Sequence, residues 1–282
     1  MTPKPTVAGT SFARKDVLAL ALVLAAEAGK IVMGVYAEAF DVEYKGKNDP
    51  VTRADKLAND HITRALAAAF PGIPIVAEES DPSTFAGYEA SLAAFFVDPL
   101  DGTREFVARN GQFAVMIGLA ELGKATLGVV GWPALGRTFV GIGSEAFEED
   151  DHGVRKSLHV SRKAALEEAR VVVSRSHRSE ATAEVIARLA AAKVDQVGSA
   201  GVKGTLVACG EADVYVHPGV AGKLWDSCAP EAIVRAAGGN VTDATGRVID
   251  YRGGELANAR GILMTNGLLH AAVLARTPGV AT

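Results

Sequence analysis

The stretch Phe96-Val97-Asp98-Pro99-Leu100-Asp101-Gly102-Thr103-Arg104-Glu105-Phe106 limits what this chain can become more than any other segment does. Ala93 to Val97 is an apolar run with aromatic and β-branched members, short enough for a buried strand. It ends in two carboxylates, Asp98 and Asp101. Pro99, between them, has no N–H to donate, which predicts that the strand ladder stops there. Gly102 allows a sharp turn and a close backbone approach to a ligand. Two acids at the end of a buried strand are unfavourable unless something positive offsets them. A hard divalent cation suits, because Mg²⁺ takes a few carboxylates together with phosphate oxygens. The N–H groups of Gly102 and Thr103 would face a phosphate if a helix starts there.

The remaining chain reads as two halves with a boundary near residues 155–170, giving regions 1–160 and 161–282. In the first, a long helix is expected from Phe12 to Ala39, with Val17, Leu20, Ala21, Leu24, Ala28 and Ile31 on one face. Val42 to Tyr44 alternates like a strand, and Lys45 to Thr52 reads as a polar loop. A second helix, Arg53 to Phe70, carries Leu57, His61, Ile62, Ala65 and Leu66 as its apolar stripe, with His61 read as packed rather than as a ligand. Ile73 to Val76 is a short strand running into Glu78 and Glu79. Phe113–Leu119 and Thr126–Trp132 form a hairpin across Leu122-Gly123-Lys124. Arg137–Ile142 and Ala146-Phe147 extend that sheet, with His159-Val160 pairing alongside. From Val171 onward, strands (171–173, 194–197, 213–216) alternate with helices (179–192, 202–210, 226–238), the pattern of an α/β unit. The first half is therefore α+β and the second α/β.

Bulk properties exclude several classes. A length of 282 residues is enough to bury a core without staples. A net charge of −4 lacks the basic footprint of a nucleic-acid binder. Cys209 and Cys228 cannot make a disulfide framework, which points to a reducing, cytoplasmic compartment. Arg14-Lys15 ahead of the apolar run Val17–Ala26 imitates a signal peptide, but Asp16 interrupts the junction and the helical pattern continues past it; the run is too short to span a membrane.

Glu78, Asp98, Asp101 and Asp226 all stand at element ends, and Asp49 sits in a turn-rich loop with Thr52 three positions on. Taken together, Glu78-Glu79-Ser80, Asp98-Pro99-Leu100-Asp101-Gly102-Thr103, Trp225-Asp226 and Asp49-Pro50-Val51-Thr52 resemble the inositol monophosphatase superfamily of Mg²⁺-dependent, lithium-sensitive phosphatases, over about residues 15 to 265. The resemblance implies a layered α/β/α/β/α sandwich of the inositol monophosphatase and fructose-1,6-bisphosphatase type. It implies metal ligation by Glu78, Asp98, Asp101 and Asp226 with the Leu100 carbonyl. About two or three Mg²⁺ ions would clamp the attacking and leaving oxygens of an in-line displacement. It also implies that Asp49 and Thr103 orient and deprotonate the attacking water, that Thr52 holds Asp49, and that Li⁺ inhibits.

Within the superfamily, Arg104-Glu105-Phe106 after the Asp-Gly-Thr turn, Trp225 to Glu231, Ser174-Arg175-Ser176-His177 and Gly198-Ser199-Ala200-Gly201-Val202-Lys203 are similar to the 3'(2'),5'-bisphosphate nucleotidases. A bisphosphate brings a second, non-reacting phosphate, for which Lys203 behind a glycine-rich turn would serve as a point charge. Arg175 or His177 would contact the nucleotide, and Ser174, Ser176, Ser199, Gly102 and the motif acids would line its site. The expected reaction is removal of the 3'-phosphate of adenosine 3',5'-bisphosphate. Rival readings are an inositol or sugar phosphatase and a non-catalytic metal-dependent binder, the last disfavoured because Asp49 is present. A homodimer is allowed for. Trp132, Trp225 and Cys228 read as structural, with Trp225 shielding the metal site, and the other histidines read as poorly placed for chemistry.

Overall fold

The computed structural model describes residues 12–46, 49–176 and 179–277. In chain order the first half contributes α1 (Arg14–Ala37), the hairpin strands β1 (Val42–Gly46) and β2 (Asp49–Thr52), α2 (Arg53–Ala69), β3 (Ile75–Ala77), β4 (Ala93–Asp101), α3 (Thr103–Val107), β5 (Ala114–Glu121), β6 (Lys124–Trp132), β7 (Arg137–Ile142), β8 (Glu145–Asp150) and β9 (Arg155–Ser157). The second half adds β10 (Arg170–Ser174), α4 (Glu180–Leu189), β11 (Lys193–Val197), α5 (Ala200–Ala208), β12 (Val214–His217), α6 (Leu224–Ala236), β13 (Asn240–Thr242), β14 (Ile262–Thr265) and α7 (His270–Leu274).

Strands β3 to β9 form one seven-stranded sheet in chain order, and a five-stranded sheet runs β11-β10-β12-β14-β13. Their central strands, such as β4, β5, β10 and β12, are buried on both faces and read as continuous apolar runs, whereas the edge strands β8, β9 and β11 are polar and more exposed. The two-residue period still sorts the side chains. On β4, Phe95 and Val97 face the cluster built with α1 and α2, while Phe96 faces the one built with α5 and α6. On β10, Val171 and Val173 face α4 and α7, and Val172 faces α5. The layers are therefore helix, sheet, helix, sheet, helix. The central helix layer lies close because Gly118, Gly128 and Gly141 are in register across β5, β6 and β7. A Cβ at Gly118 would stand 2.7 Å from Cys228 Sγ, and one at Gly141 2.6 Å from the Ala232 carbonyl oxygen. This glycine row seats α6 on the sheet.

Several sequence expectations are corrected. Asp49–Thr52 is a strand, paired antiparallel with β1, rather than part of a loop. β4 runs through Pro99 to Asp101, but its register with β5 shifts between Asp98 and Asp101; the ladder is interrupted by a bulge instead of ended, which fits the missing proline donor. The buried stripe of α2 is Ala54, Asp55, Ala58, Asn59, Ile62 and Leu66, while Leu57 is half exposed. His61 lies at the edge of that stripe and pairs with Glu27 at 2.8 Å. The strand completing the first sheet is Arg155–Ser157, not His159-Val160; the Val160 N–H instead bonds the Ala237 carbonyl. Among the described helices, α1 alone is long and apolar enough by composition to cross a membrane, but it packs on α2 and the seven-stranded sheet through Val17, Ala21, Leu24 and Ala28.

Candidate active site

The site is built at the ends of β4 and α6, under a cavity of about 590 Å³. The bulge after Asp98 aims its carboxylate inward, where Oδ1 accepts the Leu100 N–H at 2.9 Å. Asp101 closes the strand, and its Oδ2 accepts the Gly201 N–H at 2.7 Å and the Ser199 hydroxyl. Asp226, in the first turn of α6, has its Oδ2 on the Lys223 N–H at 2.6 Å. Oxygens of these three carboxylates lie within 4.8 Å of one another. Gly102, with φ +94°, turns the chain into α3; a Cβ there would meet the Gln112 carbonyl at 3.0 Å and Ser199 Cβ at 3.3 Å. Ser199 itself holds φ +58°, an unfavourable angle for a side-chain-bearing residue, while its hydroxyl caps α5 and bonds Asp101.

Burial and mutual repulsion load this cluster. Asp98 is pushed well above the ordinary carboxylate range by burial, then by Glu78, Asp101 and Asp226. Asp226 is raised by burial, then by Asp101 and Glu78. Glu78 is pushed up to about 7 by burial, against the pull of Lys45. A set of all-oxygen donors whose charges repel in a buried pocket fits a hard divalent cation. Glu78 lines the same cavity within hydrogen-bonding reach of Asp98, outside the tight three-acid group, and its Oε1 also takes Lys45 Nζ at 3.1 Å, with Lys45 reaching Glu79 at 2.6 Å. Burial alone would lower the Lys45 pKa, and the two glutamates outweigh that and raise it.

Asp49 lies at the cavity rim, and Gly102 and Thr103 line the cavity wall. Thr52 does not serve Asp49 in the way expected. It caps α2, and its hydroxyl donates to Asp55 Oδ2 at 2.7 Å. The Thr103 hydroxyl lies 2.9 Å from Asp55 Oδ1 and 3.1 Å from the Leu100 carbonyl oxygen. Buried Asp55 therefore links the helix start to the Asp-Gly-Thr turn. The sequence did carry a signal for it, since Thr52-Arg53-Ala54-Asp55 is a capping box.

Ser174, Ser176, Ser199 and Lys203 line the cavity; Arg175 sits beside them, donating to the Gln196 carbonyl at 3.0 Å; His177 lies outside the described residues. Lys203 is only 3% exposed, which rules out a solvated helix lysine. Its ammonium donates to the Ser199 carbonyl at 2.6 Å and sits 4.9 Å from the centre of the Tyr215 ring. Burial lowers its pKa to about 8, against the attraction of Asp101, Glu105 and Asp226. One histidine is better placed than the sequence suggested: His217, buried at the end of β12, lines the cavity with Asp226. Trp225 is buried in the wall against Phe85, the Trp132 indole N–H bonds the Gly111 carbonyl at 2.7 Å, and Cys228 is fully buried in the core.

Comparison with known proteins places this geometry. Residues 13–279 match the inositol monophosphatase family. The 3'(2'),5'-bisphosphate nucleotidase CysQ of Salmonella typhimurium is 40% identical over 233 residues, covering 81% of this chain and 91% of that protein; CysQ of Escherichia coli K12 is 37% identical over the same shares. Among solved structures, the extragenic suppressor protein suhB from Bartonella henselae superposes with a TM-score of 0.81 at 27% identity, covering 94% of this chain and 99% of that one. CysQ from Bacteroides thetaiotaomicron superposes with a TM-score of 0.74 at 27% identity, covering 89% and 97%.

Proposed function

Because this chain belongs to the inositol monophosphatase family, a family of metal-dependent phosphatases, we propose that it is a Mg²⁺-dependent phosphatase that removes the 3'-phosphate of adenosine 3',5'-bisphosphate, releasing AMP and phosphate. The observation that carries this reading is the pairing, in one cavity, of the Asp98, Asp101 and Asp226 cluster with a separate buried cation, Lys203. A monoester phosphatase needs the first; a bisphosphate also needs the second.

In this reading Asp98, Asp101, Asp226, Glu78 and the Leu100 carbonyl hold the metal. Bound there, Mg²⁺ supplies Lewis-acid neutralisation of phosphate charge and lowers the pKa of a nucleophilic water. Asp49 takes the proton of the attacking water at its carboxylate, with Thr103 Oγ1 as the second contact that orients it. Asp55 Oδ1, at 2.9 Å, limits the rotamers open to Thr103. Ser199 and Gly201 hold Asp101 from the other half of the chain. Residues 1–160 thus supply most of the metal chemistry, and 161–282 supply Asp226 and the recognition loops. Both cysteines are free, in keeping with a cytoplasmic enzyme.

Li⁺, small and hard, would occupy a Mg²⁺ position without supporting product release. Rising LiCl should inhibit where equal KCl does not, and equal responses would count against this. An inositol phosphatase is the second reading, favoured by the superposition on an IMPase from Thermotoga maritima with a TM-score of 0.77 at 27% identity. Phosphate release measured across bisphosphonucleotides, inositol phosphates and sugar bisphosphates decides between them: the highest kcat/KM should fall on the 3',5'-bisphosphate, and a wild-type preference for inositol monophosphate would refute the nucleotidase.

A further inference from the structure

We propose that Glu105 is a positioning residue that holds the Ser174–Ser176 loop in place for the part of the substrate that does not react, an inference that rests on the nucleotidase reading. Glu105 belongs to the short helix α3 that begins at Thr103, so it is tied directly to the catalytic turn. It is 3% exposed, and a buried carboxylate needs partners. Those partners are not in the metal site. One oxygen accepts the Ser176 hydroxyl and the other the Asn110 side-chain amide. Arg175 Nη1 stands 3.8 Å from Oε2. Next to it, Arg104 donates to the Ser176 carbonyl at 3.0 Å.

A third segment closes on the same carboxylate. Any side chain at Gly198 would overlap that of Glu105, with a Cβ only 2.6 Å from Cδ, and the Gly198 N–H is held by Gln112 Oε1 at 2.8 Å. Arg175 in turn donates to the Gln196 carbonyl at 3.0 Å. The two residues that follow the Asp-Gly-Thr turn therefore grip the Ser174–Ser176 loop, and Glu105 also packs under the turn that carries Ser199. The clip itself makes no contact with Asp98 or Asp226; its link to the carboxylate cluster is indirect, through the Gly198–Ser199 turn, where the Ser199 hydroxyl holds Asp101, and the Glu105 charge also attracts Lys203. The clip sets the far wall of the cavity, where a nucleoside and its second phosphate would lie.

The test is Glu105→Gln, which keeps the shape and an acceptor for Ser176 but opposes the Asn110 amide and removes the charge facing Arg175. Steady-state kinetics would use adenosine 3',5'-bisphosphate and p-nitrophenyl phosphate, which has neither a nucleoside nor a second phosphate. For the bisphosphate KM should rise about tenfold or more with kcat held within about twofold, and p-nitrophenyl phosphate hydrolysis should stay within about twofold. Amide hydrogen exchange at Ser174–Ser176 should quicken while Tm is unchanged. An equal loss on both substrates, an unchanged KM for the bisphosphate, or unchanged exchange would overturn the inference. Failure of the nucleotidase reading shows separately, as a wild-type preference for inositol monophosphate; the exchange measurement still decides whether Glu105 holds the loop.

Discussion

Replacing Lys203 with Met keeps the length and apolar stem of a fully buried side chain and deletes only its charge and donors. Two effects follow, and they oppose each other. Burial has lowered the Lys203 pKa to about 8, so at neutral pH the folded protein carries a charge it disfavours, on the order of 3 kcal/mol against folding. The Met variant is relieved of that cost. It also leaves the Ser199 and Val197 carbonyls without the ammonium that reaches them at 2.6 and 3.4 Å, a loss of about 1–3 kcal/mol. Near pH 7 the two nearly cancel. The pH dependence does not. Between about 8 and the unfolded value near 10.5, the unfolded chain binds a proton that the folded one has released, so wild-type stability from this group rises with pH. The variant lacks that rise. Across that window its Tm should therefore fall behind wild type by roughly 5–10 °C, read by calorimetry at matched ionic strength. Parallel Tm curves would refute the burial argument. In the assay, loss of a charge-assisted phosphate contact of about 1.5–3 kcal/mol should lower kcat/KM for the bisphosphate roughly ten- to hundredfold. A monophosphate should be nearly untouched, and an equal loss on both substrates would mean that the charge serves the carboxylate cluster instead of a second phosphate.

Asp101→Asn and Asp226→Asn should each cost several orders of magnitude in turnover while the circular dichroism spectrum is kept; full activity at saturating Mg²⁺ would sink the ligand assignment. In metal-free protein the raised carboxyl pKa values of Asp98 and Asp226 mean that the folded state binds more protons than the unfolded one, so stability falls as pH rises above the ordinary carboxylate range. Adding Mg²⁺ should accordingly raise Tm more at pH 8 than at pH 5, and an equal shift at both would contradict the repulsion described here. Gly141→Ala puts a methyl 2.5 Å from Ile233 Cα and should lower stability by at least about 1–3 kcal/mol in urea melts, whereas Gly143→Ala, with nothing within 4 Å but φ +58°, should cost only about 1 kcal/mol of backbone strain.

Much of this protein is local, and local order is legible in sequence. The apolar run before Asp98, the Leu122-Gly123 hairpin, and the strand-helix alternation after Val171 are each decided by neighbouring residues through period, turn chemistry and burial preference. The Asp-Pro-Leu-Asp-Gly-Thr turn could be read the same way, because carboxylates at a buried strand end imply a partner; the Trp225-Asp226 pair could not, since an acid in the first turn of a helix is already satisfied by the helix, and only the resemblance marked it. What no window of sequence contains is distance between segments. Asp226 joins Asp98 and Asp101 only because the glycine row on β5, β6 and β7 lets α6 settle against the sheet, and that row exists only once three strands are in register. Thr52 turned from Asp49 to Asp55, and Lys203, read in the chain only as a point charge behind a glycine-rich turn, proved to be buried, because neither hydrogen-bond choice nor burial is a property of a residue alone. Glu105 is the clearest case. Its place after the turn was visible in the chain, but its partners Ser176 and Gly198 lie far along it, and only packing the two sheets on a shared helix layer brings them to one carboxylate.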